Sequence, residues 1–170
     1  MKKIMLKLLP VLMLLSEISV FAQTTAKVIR VKDGDTYVLQ DSVKTFTVRL
    51  LKIDAPEMKQ KSGFDSYRFV TGLIGGRMVE YTGSKKDKYG RTLASLTING
   101  QRVDSLIIAN GWAWHYVNYD NEAMLDSLQQ QAISDSLGLW SCGSSSVCPP
   151  WLYRHYNAKN RMIYCKGCFN

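Results

Sequence analysis

The stretch Phe46-Thr47-Val48-Arg49-Leu50-Leu51-Lys52-Ile53-Asp54-Ala55-Pro56-Glu57 decides the fold. Its β-rich, mostly apolar run from Phe46 to Ile53 predicts a strand, and Pro56, which has no N–H for a sheet ladder, ends it. Upstream, Val28 to Val31 predicts a first short strand. Asp33-Gly34-Asp35 then turns the chain into Thr36 to Leu39, and Asp41-Ser42 turns it again. Downstream of a loop from Lys59 to Gly63, the spacing of Phe64, Tyr67, Val70 and Ile74 predicts a helix with one apolar face. Met78 to Tyr81 and Thr92 to Ile98 predict a hairpin, with Ser84 to Gly90 as its basic connecting loop. Asn99-Gly100 signals a tight turn. Asp104 is expected to cap a short helix that Asn110-Gly111 stops. A further helix is expected from about Glu122 to Ser136, burying Leu125, Leu128 and Ala132, with Gly138 past its end. Strands first and helices later make an α+β domain.

At 170 residues the chain is long enough for one domain with a core of its own. Residues 1–22 have the anatomy of a secretory signal peptide: Lys2 and Lys3, an apolar stretch from Leu8 to Leu15, and Val20-Phe21-Ala22 as a cleavage site before Gln23. The apolar stretch is shorter than the ~20 residues a spanning helix needs. The expectation is therefore a secreted or periplasmic protein with no membrane segment after cleavage. Loss of Lys2, Lys3, Lys7 and Glu17 lowers the formal charge from +8 to +6. A basic surface of this kind suits a polyanionic partner, of which nucleic acid is the commonest.

The four cysteines, Cys142, Cys148, Cys165 and Cys168, all fall near the C-terminus. In an exported chain they predict two disulfides, with three pairings open. The rival is a zinc site, for which Cys165-Lys166-Gly167-Cys168 has ligand spacing while Cys142 and Cys148 stand too far apart. The expected organisation is a signal peptide at 1–22, a domain at 23–141, and a Cys-containing extension at 142–170 that packs on the domain.

Asp35 and Asp54 each sit where a strand meets a turn, so their carboxylates can converge at one rim of a small barrel. Carboxylates completed by carbonyls and waters suit Ca²⁺, whereas softer metals would call for imidazole or thiolate. Glu57, three residues after Asp54 and steadied by Pro56, is placed to orient or deprotonate a water attacking phosphorus. Arg49 lies among apolar strand residues and needs an anionic partner, either a substrate phosphate or the acidic cluster. Arg91 closes a basic, glycine-containing turn, and its guanidinium can grip two phosphate oxygens as charge builds. Lys88 and Tyr89 beside it suit a phosphate and a base or sugar. Lys85 and Lys86 are expected on a solvated loop. Trp112 and Trp114 are expected in the core, with Tyr116 or Tyr119 open to a place on the groove. His115 and His155, the only histidines, lie far from the carboxylates in sequence and are expected to be structural or superficial.

Asp33-Gly34-Asp35-Thr36, Arg49-Leu50, Ile53-Asp54-Ala55-Pro56-Glu57, Asp87-Lys88-Tyr89-Gly90-Arg91 and Leu137-Gly138-Leu139-Trp140 occur in register. In that order they resemble the staphylococcal nuclease family, from about Ala26 to Trp140. The resemblance implies a five-stranded OB-fold β-barrel with about three α-helices, and a monomeric Ca²⁺-dependent endonuclease acting on DNA and RNA. It implies Asp35, Asp54 and the Ala55 carbonyl as metal ligands, Arg49, Glu57 and Arg91 as catalytic residues, and Lys88 and Tyr89 as contacts to a terminal phosphate. Cleavage on the 5′-oxygen side, leaving 3′-phosphates, is implied as well. Ala55 stands where the type enzyme has threonine, and the tail from Cys142 has no counterpart there. The alternative is a non-catalytic OB-fold module that binds nucleic acid without cutting it.

Overall fold

A computed structural model describes residues 24–117, 121–141, 143, 145 and 147–165. The expected signal peptide, Gln23, Tyr119, Cys142 and Cys168 lie outside the described residues.

Strands β1 (Thr25–Val31), β2 (Thr36–Gln40) and β3 (Thr45–Leu50) pair antiparallel in succession. β1 also pairs with β5 (Met78–Thr82), and β5 with β6 (Thr92–Ile98). A parallel pairing of β6 with β3, Val48 to Thr92 and Leu50 to Ala94, closes the ring of five strands. β6 shows the period of two that a half-buried strand requires, with Thr92, Ala94, Leu96 and Ile98 inside. In β1 the register slips between Val28 and Arg30, and this bulge returns Val31 to the inner face. Tyr37, Leu39, Val48 and Leu50 complete the barrel's share of the core. The fold is an α+β barrel of the expected OB type.

β3 ends at Leu50, three residues short of the expected Ile53. After a bend at Leu51-Lys52 the chain resumes as β4 (Ile53–Asp54), which leaves the barrel to pair with β8 (Trp114–His115). Helix α1 (Gly63–Ile74) buries Ser66, Val70 and Ile74, while Phe64 is exposed. The buried face is therefore rotated from the expected one, because Ser66 must meet the Asp33-Asp35 turn and donate to the Trp112 carbonyl at 2.8 Å. β7 (Gln101–Arg102) folds back to pair antiparallel with β6 and leads into α2 (Val103–Ala109). Arg102, not Asp104, occupies the cap position of α2. The Asp104 carboxylate instead pairs with the Arg102 guanidinium at 2.8 Å inside the first turn.

Helix α3 (Ala123–Ser134) buries Leu125 and Ala132 as expected, with Leu128 partly covered. Beyond it a 3₁₀ turn, Gly138–Trp140, docks against Gly111 through the Leu139 N–H and Gly111 carbonyl at 2.8 Å. Both glycines have positive φ, 73° and 52°; a Cβ on Gly111 would strike the Leu137 carbonyl, and one on Gly138 the carbonyls of Gly111 and Asn110.

The extension packs on the domain and forms two helices that its Ser, Gly, Pro and Cys content concealed: α4 (Pro150–His155) and α5 (Ala158–Tyr164). A disulfide joins Cys148 to Cys165, which removes both thiols from the zinc alternative. The Gln60 side-chain amide donates to the Cys148 carbonyl, and the Tyr153 hydroxyl to the Lys59 carbonyl at 3.0 Å. Trp151 stacks on Tyr116 and meets Trp114 edge-on. Among the described residues no helix is long and apolar enough to cross a membrane.

Candidate active site

The Asp33-Gly34-Asp35 turn links β1 to β2 and delivers the first carboxylate. A Cβ at Gly34 would stand 2.2 Å from Ser66 Oγ and 2.6 Å from Ala55 Cβ, so glycine lets the turn press onto α1 and the segment after β4. Asp33 Oδ1 accepts from the Asp35 N–H at 3.1 Å, and the buried Tyr37 hydroxyl donates to the Gly34 carbonyl at 2.8 Å. Asp35 thus turns inward. Its Oδ2 accepts the Ala55 N–H at 2.7 Å and pairs with Arg49 Nη1 at 2.9 Å.

Arg49 explains the bend after β3. Its Nη1 donates to the Leu50 carbonyl at 3.1 Å and the Ile53 carbonyl at 2.8 Å, so the guanidinium ties together the carbonyls on either side of the bend. Its Nη2 donates to Asp54 Oδ1 at 2.8 Å. Of the two partners open to Arg49 in the sequence, the carboxylates are the ones it meets. Asp54 is wholly buried, held in place as β4 pairs with Trp114. Burial pushes the Asp35 carboxyl up to about 7 despite Arg49. Burial also raises Asp54, against the hydrogen bond from Arg154. Both shifts arise first from the loss of water around the carboxylates, which the neighbouring arginines offset only in part.

Glu57 follows at the mouth of the site, its carboxylate two-fifths exposed. Gln60 fixes its backbone, accepting the Glu57 N–H at 3.2 Å through Oε1. On the opposite wall the loop before β6 is organised by Asp87, whose Oδ1 accepts the N–H groups of Tyr89 and Arg91. Burial alone would raise Asp87, but hydrogen bonds from Arg91 and these N–H groups hold its carboxyl below the usual range. Arg91 lies over the Tyr89 ring at 5.4 Å, and Lys88 Nζ sits 5.1 Å from the same ring. Asp35, Arg49, Asp54, Ala55, Glu57, Lys88, Tyr89 and Arg91 all line one cleft of about 850 Å³. Every residue singled out in the sequence for this chemistry reaches it.

Of the two tyrosines left open to the groove one is found there, and the cleft also takes in an arginine that the sequence did not announce. Tyr116 lines it and is braced by Trp151. Arg154 enters from α4 and pairs with Asp54 and Glu57. Hydrogen bonds to these carboxylates outweigh its burial and make its proton harder to lose. No local pattern marks Arg154, since its partners lie 100 and 97 residues away. His115 is buried, with Nδ1 2.6 Å from Asp126 Oδ1, and takes no part in the cleft.

Among the described residues no three His, Cys, Asp or Glu side chains gather into a metal cluster. The site offers two buried carboxylates that line the cleft, an all-oxygen set. That donor set fits a hard cation such as Ca²⁺ and not a thiophilic one.

The model of the staphylococcal nuclease homologues matches residues 47–142, more than half of the chain. The chain belongs to the staphylococcal nuclease family. It is 38% identical over 135 residues to an Escherichia coli protein named as an endonuclease, covering 79% of this chain and 87% of that one. A Haemophilus influenzae protein also named as an endonuclease is 32% identical over 120 residues, 70% of this chain and 67% of its own length. A staphylococcal-like nuclease of Arabidopsis thaliana is 33% identical over 111 residues, 65% of this chain but 34% of the longer plant protein. The staphylococcal nuclease match begins in β3 and takes in Arg49, Asp54, Glu57 and Arg91, while Asp35 lies just upstream of it.

Proposed function

We propose that this chain is an exported, calcium-dependent endonuclease that hydrolyses the phosphodiester bonds of DNA and RNA and works as a monomer. One observation carries the reading. Two arginines, a half-exposed glutamate and a buried carboxylate pair face a single cleft walled by a basic, aromatic loop. A module that only binds nucleic acid needs the loop but not Glu57 or the paired carboxylates, so the complete set favours the enzyme. The names of the endonuclease relatives support it.

In this mechanism Asp35, Asp54 and the Ala55 carbonyl hold the ion. Calcium, when bound, supplies positive charge that lowers the pKa of nearby water and polarises the phosphate. Glu57 takes a proton from the attacking water as the water oxygen bonds to phosphorus. The bond from phosphorus to the 5′ oxygen breaks, leaving a 3′-phosphate and a 5′-hydroxyl that gains its proton from solvent. Arg91 and Arg49 face the phosphoryl oxygens as negative charge develops there. Lys88 and Tyr89 receive a neighbouring phosphate and the sugar or base. The signal-like sequence at 1–22 and the Cys148–Cys165 disulfide both suit an oxidising compartment outside the cytoplasm.

The test is cleavage of single-stranded DNA by residues 23–170, with Ca²⁺ or a chelator, beside Glu57→Ala. Calcium-dependent cleavage that the substitution abolishes is the expected result. Binding without cleavage at any calcium concentration would make the protein a nucleic-acid-binding module.

A further inference from the structure

Arg154 fills the place of a cation at the carboxylates. Its Nη2 lies 2.7 Å from Asp54 Oδ2, and its Nη1 lies 3.2 Å from Asp54 Oδ1 and 2.9 Å from Glu57 Oε1. Arg49 already engages Oδ1 of the same carboxylate. Arg154 is therefore the group on Oδ2, the oxygen that Arg49 leaves for a metal ion. A calcium ion and a guanidinium cannot share that oxygen at contact distance without severe like-charge repulsion.

The guanidinium is free to leave although its helix is not. Helix α4 is anchored on the domain by the Tyr153 hydroxyl on Lys59, by Trp151 on Tyr116 and, just before it, by the Gln60 amide on the Cys148 carbonyl. The Arg154 side chain is 42% exposed at the cleft mouth and can swing to solvent on its own flexible stem. The anchored helix keeps it at high effective concentration beside the site.

We propose that Arg154 is a stand-in cation: it neutralises Asp54 and Glu57 when calcium is absent, and must swing away before Ca²⁺ can bind. The C-terminal extension thereby sets the calcium concentration at which the site fills. This rests on the calcium reading above. If the arginine occupies the site about nine-tenths of the time, calcium affinity is weakened about tenfold, because only the open fraction binds.

Calorimetric titration of the full chain with Ca²⁺, without nucleic acid, tests this. Arg154→Ala should bind calcium about tenfold more tightly than wild type, or about 1.4 kcal/mol. Arg154→Lys should fall between them, because a single ammonium cannot bridge both carboxylates. Asp54→Asn should abolish binding. In the wild-type protein, the Arg154 side-chain ¹⁵N signal should shift as calcium saturates, a readout that does not depend on a variant folding. Equal or weaker calcium binding in Arg154→Ala, with Asp54→Asn still inactive in binding, would overturn the stand-in role and leave the calcium reading intact. An Arg154 signal that calcium leaves unmoved would do the same. Failure of both wild type and Arg154→Ala to bind calcium would overturn both.

Discussion

Asp87 holds Arg91 in two ways, with Oδ2 2.7 Å from both Nε and Nη2 of the guanidinium while Oδ1 binds the Arg91 N–H at 3.0 Å. The arginine's position is thus set before any substrate arrives. Asp87→Ala should leave the barrel folded and let the guanidinium wander. Misplacement by an ångström is enough to cost about 10²-fold in rate. The expected effect is a fall in kcat of about that size with a smaller change in KM, measured by steady-state cleavage. An unchanged kcat would show that Arg91 needs no such support.

Removal of Arg91 itself goes further. Arg91→Ala should lower kcat by about 10² to 10³, the range for loss of one charge-stabilising donor. Arg91→Lys should rescue little, because an ammonium cannot meet Asp87 and a phosphate in one plane. A lysine variant near wild-type rate would reduce the role of Arg91 to simple charge.

The contact of Gly34 with Ser66 and Ala55 couples the Asp35 turn to stability. Gly34→Ala forces a methyl into the side chains of Ser66 and Ala55 and should destabilise the protein by about 1–3 kcal/mol, the usual range for overpacking. Calcium affinity should fall with it, because Asp35 moves away from Asp54. Urea unfolding and calcium titration of the same variant check both, and a variant with wild-type values in each would mean that the turn yields freely.

Glu122 is one source of pH dependence in stability. Hydrogen bonds from Arg102 and Lys52 hold its carboxyl down to about 2 from the ordinary 4.5, so the folded state binds this proton less readily than the unfolded chain. Its stabilising contribution is therefore present above pH 4.5 and is lost as the pH falls through about 2. Glu122→Gln should flatten the acid limb of the stability curve in that window. An acid limb of unchanged slope would assign acid sensitivity to other groups.

The barrel was legible because its determinants are local. Alternating apolar residues set β6, Asn99-Gly100 sets the turn after it, and helical spacing located α1 and α3 to within a few residues. The site was legible for a related reason: Asp54 and Glu57 flank one Pro56, and Arg91 shares a turn with Lys88 and Tyr89. What escaped is tertiary. The end of β3 at Leu50 depends on where the Arg49 guanidinium finds carbonyls, and the rotation of α1 depends on Gly34 across the barrel rim. Arg154 meets its partners only after the whole chain has come round, and the composition of the tail gave no sign of helices.

The parallel pairing of β3 with β6 joins residues some forty positions apart, as the match of Val48 with Thr92 shows. Arg49 lies on one side of that seam and Arg91 immediately before the other. Half-finished chains, even those with every hairpin formed, keep the two arginines on separate pieces. Catalytic competence should therefore wait on that long-range pairing, a kind of contact that forms more slowly than a hairpin. A nascent or damaged copy would be harmless to the nucleic acid around it until that seam had closed.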